Sequence, residues 1–312
     1  MKAIVYNKKH APGRLKSFDV NKPVPKDTEV LIKIVSGSVN AADYRAMKMR
    51  MIPKNRIFGG AISGRVESVG KNVQNFQPGD EVLGDLSDFG FGGFAEYAVA
   101  PEIALAIKPA KLSFEDAASL PIAATTALKA LRDTGSLQKG QKVLIVGSAG
   151  GVGTFAVQLA KYYGAIVTAV CSTKNMEQTS SLGADFIIDY TKVDFMKSNE
   201  NYHIILAING TYPLRAYKRK LKKDGIYVMV GGGLVQIFSS IFFAWILSFG
   251  TKKMRFLSAK SDPEDLEFVA NLAANGELTP IIEKKYPLDN TAEAMDYLSE
   301  GHASGKVLIL ME

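Results

Sequence analysis

A chain of 312 residues, 47% of them apolar and 22% charged, is long enough for two domains, each with its own core. Its one cysteine, Cys171, excludes an internal disulfide and gives no support to an oxidising compartment. The formal charge of +7 suits an anionic ligand or partner. However, the lysines are spread along the chain, and only residues 217–223 form a dense basic cluster. That cluster precedes an Asp-Gly pair and reads as a solvated helix end, where cations are favourable. No nucleic-acid role is expected. The amino-terminal apolar run is too short for a signal peptide, so a cytoplasmic protein is expected.

Taken in order, residues 1–120 read as short strands between turns. Strands are expected over 30–39, 62–69, 81–83 and 94–100, with Gln77-Pro78-Gly79-Asp80 and Gly92-Gly93 as turn signals. Closely spaced short strands point to a barrel or sandwich. The pattern changes after Pro121. Strand candidates at 142–147, 166–171, 185–190, 203–208, 226–231 and 255–260 are separated by helix-length stretches, the clearest being 152–163. Such alternation predicts an α/β domain, a doubly wound parallel six-stranded sheet covered on both faces. From Asp262 onward a helix, a strand near Lys285-Tyr286, a helix from Thr291 and a closing strand over 306–310 are expected. The nearly uncharged stretch 234–249 falls short of the ~20 apolar residues that span a bilayer. It reads as a buried helix, with a lid, a subunit contact or membrane-surface attachment as alternatives.

The strongest local signal is the glycine-rich turn Gly147-Ser148-Ala149-Gly150-Gly151-Val152-Gly153. It follows a strand and opens a helix, which is the context of a dinucleotide-binding loop. Glycine permits a sharp turn and close backbone approach to a pyrophosphate, and the helix N-terminus supplies N–H groups and positive potential. The end of the next strand reports on the adenosine ribose. An NAD site places an acid there, whereas this chain has Ser172-Thr173-Lys174-Asn175. A hydroxyl and a cation suit a 2′-phosphate, so NADPH is the expected cofactor.

These motifs resemble those of the quinone oxidoreductase (zeta-crystallin-like) family, the zinc-independent branch of the medium-chain dehydrogenase/reductases. Residues 147–164 resemble its signature, 72–82 its barrel motif, 120–131 its domain junction and 305–307 its closing strand. The resemblance implies a GroES-like β-barrel catalytic domain over 1–120 and 262–312, a Rossmann NADP-binding domain over 121–261, and a cleft between them. It implies Asn40 and Thr126 at the nicotinamide end, and Tyr44 with Asp43 and Arg45 on the substrate wall, although Asp43 also reads as a buried hydrogen-bonding residue and Tyr44 as packing. Tyr190 is expected beside the adenosine phosphate with Lys174, and Gly231-Gly232-Gly233 near the nicotinamide.

Where zinc-dependent alcohol dehydrogenases of that superfamily carry a Cys ligand and a His-Glu pair, this chain has Asn40, Gly60 and Ala61. A catalytic zinc needs about three Cys, His or carboxylate ligands. The histidines are His10, His203 and His302, and Cys171 lies on the cofactor strand, so a metal-free site is expected. The implied activity is NADPH-dependent hydride transfer to a small quinone or an α,β-unsaturated carbonyl, in a homodimer joined through 255–260. A non-enzymatic NADPH-binding protein and a membrane-peripheral reductase of lipophilic substrates are the alternatives.

Overall fold

The computed structural model describes residues 1–7, 14–231, 248 and 250–311. The chain forms two compact units, Met1–Thr125 with Lys260–Glu312, and Thr126–Ala259. The expectations for Gly232, Gly233 and, apart from Ser248, the stretch 234–249 lie outside the described residues.

The first unit begins with β1 (Lys2–Tyr6) and β2 (Leu15–Asp19), an antiparallel pair. The spine of its main sheet is β3 (Glu29–Val39). One edge of β3 pairs antiparallel with β4 (Ala61–Val69), which pairs with β5 (Glu81–Asp85). Its other edge first receives β6 (Tyr97–Pro101), and β7 (Leu105–Ile107) closes against β5. Burial alternates along β6, as a sheet with one covered face requires. The predicted strand over 94–100 starts late, at Tyr97, because Phe94 is instead bound through its backbone N–H to the Phe58 carbonyl at 2.9 Å.

The second unit is a parallel sheet of six strands: β8 (Lys142–Val146), β9 (Ile166–Cys171), β10 (Phe186–Asp189), β11 (Tyr202–Ala207), β12 (Leu221–Met229) and β13 (Lys253–Phe256). Their order is β10-β9-β8-β11-β12-β13. The order reverses between β8 and β11, the switch point at which open α/β sheets take their ligands. Val143, Leu144 and Ile145 are wholly buried, the near-continuous apolar run of a strand covered on both faces. The helix Gly151–Tyr162 packs on β8 and β9 and buries Phe155 and Leu159 completely. Each such side chain contributes roughly 1.5–3 kcal/mol.

The basic cluster 217–223 differs from its solvated expectation. The helix Leu214–Lys220 runs straight into β12, with Tyr217 buried against Tyr227 at 5.0 Å between ring centroids. Lys220 is also buried and donates to the Ser198 carbonyl. Asp224-Gly225 is not a turn ahead of the strand but an irregularity within it. The β11 register jumps from Tyr202↔Leu221 to Ile204↔Ile226, and Asp224 takes φ +61°. The last strand lies earlier than 255–260, because Lys253–Phe256 are the residues that pair with Ile226–Met229.

The chain then returns to the first unit with the helix Pro263–Ala274, β14 (Ile282–Pro287), the helix Thr291–Ser299 and β15 (Lys306–Leu310). β15 runs antiparallel to the C-terminal half of β3, Val307 facing Val39. Among the described residues no helix is long and apolar enough to cross a membrane.

Candidate active site

The glycine-rich turn lies at the C-terminal end of β8. Gly147 takes φ +88°, a conformation open to glycine but strained for other residues, and the N–H groups of Gly147 and Ser148 both reach the Val170 carbonyl at 3.2 Å. Ser148 is fully buried and turns its Oγ to that same carbonyl, so its side chain holds the turn rather than facing a ligand. Gly150 is the residue ahead of the helix Gly151–Tyr162 and offers no side-chain cap. The first-turn N–H groups of Gly151, Val152 and Gly153 therefore lack partners within the helix. A β-carbon on Gly153 would lie 2.1 Å from the Gly147 carbonyl oxygen. The helix end and the turn are pressed together backbone against backbone, and the open N–H groups of such a turn could hold a pyrophosphate.

Ser172 follows β9 and opens a short turn in which Asn175 N–H bonds the Ser172 carbonyl at 2.9 Å and Asn175 Nδ2 donates to Ser172 Oγ at 3.3 Å. Lys174 on that turn is exposed. Tyr190, at the end of β10, is 56% exposed and ties its N–H to the Cys171 carbonyl at 3.1 Å. Ser172, Lys174, Asn175 and Tyr190 thus stand at two neighbouring strand ends. Gly231 follows β12, its N–H on the Ala207 carbonyl at 3.2 Å. One residue here escaped the sequence reading. Asp189 accepts from the Thr173 and Thr191 hydroxyls, and those bonds hold its carboxyl below the usual range. It anchors the turn that carries Lys174. Its place within a predicted strand concealed it.

In the first unit, Asn40 precedes the helix Ala41–Lys48 at the end of β3. Asp43 is completely buried. One carboxyl oxygen accepts the Asn40 N–H at 2.7 Å, and the other accepts Gly59 and Gly60 N–H at 3.1 and 3.2 Å. It therefore braces the loops behind the expected wall rather than lining it. Both oxygens face N–H donors, an arrangement suited to the carboxylate, although burial pushes the group up to about 7. Tyr44 is half-buried against the apolar cluster around Tyr6 and Phe58, and the Arg45 guanidinium lies 5.8 Å from its ring centroid. Thr126, expected beside Asn40, belongs to the second unit, half-buried in the helix Ala123–Lys129.

Two further residues of this unit, one against Asn40 and one against Gly60, were not anticipated. Lys306, the first residue of β15, is 2% exposed and donates from Nζ to Asn40 Oδ1 at 2.6 Å. Ile122 takes φ +66°, rare for a β-branched residue and costing roughly 1–3 kcal/mol. A β-carbon on Gly60 would come within 2.8 Å of its Cδ1, so Ile122 fills the space that Gly60 leaves. Proximity across 266 positions gives no sequence signal for Lys306.

Residues 26–110 match the family described as Alcohol dehydrogenase GroES-like domain, and residues 182–309 match that described as Zinc-binding dehydrogenase. The chain is 32% identical over 309 residues to a chloroplast envelope quinone oxidoreductase homolog of Arabidopsis thaliana, covering 95% of this chain and 93% of the relative. It is also 32% identical over 325 residues to an NADPH-dependent alkenal/one oxidoreductase of that plant, covering 99% of this chain and 79% of the relative. The solved structure of the quinone oxidoreductase from Coxiella burnetii superimposes with a TM-score of 0.89 at 29% identity, over 100% of this chain and 99% of that one. The α/β fold with its GroES-like N-terminal part and six-stranded parallel sheet is that of these enzymes, and the chain belongs to the medium-chain dehydrogenase/reductase superfamily, in its quinone oxidoreductase family.

Proposed function

We propose that this protein is an NADPH-dependent, metal-free oxidoreductase that delivers hydride to a quinone or an α,β-unsaturated carbonyl. The observation that carries the reading is the cradle at the switch point. There a helix N-terminus lies against Gly147, with a hydroxyl, a lysine and a tyrosine at the two adjacent strand ends. The relatives named as quinone oxidoreductase and as NADPH-dependent alkenal/one oxidoreductase support the same chemistry.

When bound, reduced nicotinamide would supply the hydride. The protein's part is to bind, orient and polarise. Gly151, Val152 and Gly153 offer N–H groups to the pyrophosphate, while Ser172, Lys174, Asn175 and Tyr190 receive the 2′-phosphate. Gly231 to Gly233 and Thr126 belong to the nicotinamide end. Asn40 donates toward the oxygen on which negative charge develops, and Tyr44 with Arg45 forms the wall that orients an electron-poor acceptor. Such acceptors need no Lewis acid. Asn40, Gly60 and Ala61, standing where zinc-dependent alcohol dehydrogenases carry a Cys ligand and a His-Glu pair, offer neither the thiolate nor the imidazole that zinc prefers. The catalytic domain is read as 1–120 with 262–312 and the cofactor domain as 121–261. Pairing of two copies through β13, the last strand of the six-stranded sheet, would make a homodimer.

Stopped-flow oxidation of NADPH against a panel of quinones and alkenals tests the proposal. Turnover with at least one acceptor is expected. Inertness across the panel, with tight NADPH binding retained, would overturn it in favour of a binding protein.

A further inference from the structure

Lys306 is a buried lysine in the sheet of the first unit, and the closing of β15 on β3 does not require its charge. Register alone places it: Val307 faces Val39, so the residue before it meets Asn40. Its backbone N–H bonds the Ile281 carbonyl at 2.7 Å. An aliphatic side chain would fill the position with less desolvation. Among the described residues its ammonium forms no ion pair within 4.0 Å, and its side-chain hydrogen bond goes to the neutral amide oxygen Asn40 Oδ1. The charges it faces are Asp43, on the helix after β3, and Asp85, at the end of β5; Asp85 in turn feels Asp88.

We propose that Lys306 is a positioning residue for the reduction, setting and polarising the Asn40 carboxamide through its contact with Oδ1. The inference rests on the reading of Asn40 given above. An ammonium only donates, so its partner must be Oδ1, and Nδ2 must take the opposite side. There Nδ2 meets the Ser38 carbonyl at 2.9 Å and Ser38 Oγ at only 3.3 Å. The second contact is long for an N–H···O bond, and that hydrogen is the one available to a bound oxygen. Drawing density onto Oδ1 makes the N–H a stronger donor, since linked hydrogen bonds polarise one another. Asp43 completes the arrangement by holding the Asn40 backbone. The amide is thus fixed in orientation before any substrate arrives.

Burial lowers the Lys306 ammonium to about 7, with Asp43 and Asp85 opposing the shift. Raising the pH through that value removes the charge that polarises Asn40, so kcat should decline on the alkaline side. The test uses K306M, K306R and N40D in the full chain. K306M should lose about 10²-fold in kcat, the order expected when a reacting geometry slips by about an ångström, with NADPH affinity unchanged. K306R should recover part of the loss and lack the alkaline limb. In the cofactor-free protein, the Asn40 side-chain amide resonance should move further across about pH 7 in wild type than in K306M, where only the Asp43 carboxyl, bonded to the Asn40 backbone, still titrates in that range. A folded K306M with wild-type kcat and pH profile would overturn the proposal. If K306M fails to fold, N40D decides. Its carboxylate pairs directly with Lys306 and removes the Nδ2 donor, so kcat should fall while NADPH binding stays. Wild-type kcat in N40D would also overturn the proposal. A wild type inert to every acceptor refutes the reading of the reaction instead, and the amide titration then tests Lys306 by itself.

Discussion

Gly153→Ala tests the cofactor cradle directly. The added methyl would sit 2.1 Å from the Gly147 carbonyl oxygen and 2.6 and 2.7 Å from the Ser148 carbonyl carbon and Cα. Ordinary van der Waals contact begins at 3.4 Å. Helix and turn would have to part by about 1.3 Å, the difference between 3.4 and 2.1 Å. Every opposing atom is backbone, so no side chain can rotate away. Overpacking of this kind costs typically ~1–3 kcal/mol of stability, a fall of several degrees in Tm for a chain of this size. The first-turn N–H groups would retreat from the pyrophosphate by a similar distance. Loss of one charge-assisted hydrogen bond is worth about 1.5–3 kcal/mol, or roughly tenfold to hundredfold in affinity. Because NADPH and NADH share the pyrophosphate, both should weaken equally in nucleotide-fluorescence titrations. A variant with wild-type Tm and wild-type affinity for both nucleotides would refute the reasoning.

Lys174→Ala should behave differently, weakening NADPH by about tenfold and leaving NADH nearly untouched; equal losses for the two would mean that Lys174 does not read the phosphate. Glu81, whose carboxylate meets the nearly buried Lys108 ammonium at 2.8 Å, is held below its ordinary 4.5, chiefly by that hydrogen bond. A depressed folded value contributes stability above 4.5 that is lost as the pH falls through the folded value. Glu81→Gln should therefore unfold at a lower temperature than wild type at pH 7, and the gap should close in acid; a gap independent of pH would contradict this account. Elemental analysis should find less than stoichiometric zinc, with turnover unchanged by chelators, and one tightly held zinc per chain would sink the metal-free mechanism. Light scattering at micromolar concentration should report a dimer, and only monomer would remove that proposal.

Much of the architecture follows from local sequence because its causes are local. The run Val143-Leu144-Ile145-Val146 is apolar throughout since both faces of a central parallel strand are covered, and the glycines after it are needed for a turn that local backbone geometry dictates. The helix predicted at 152–163 and found at Gly151–Tyr162 carries its own periodicity. The place of Ser172 and Lys174 at a strand end was legible for the same reason, as they immediately follow the predictable strand β9. The Asp224-Gly225 pair misled because two residues compatible with a turn are equally compatible with an irregularity inside a strand, and pairing with β11 decides between them. Asn40, Asp43 and Lys306 show what remained for the tertiary structure. Residues 40 and 43 share one helical turn and could be suspected together. Nothing in a linear chain says that Asp43 spends both oxygens on backbone N–H groups, or that a lysine at position 306 meets an amide at position 40. That meeting is set by the register of β15 on β3, and register across such a separation depends on the packing of the whole sheet.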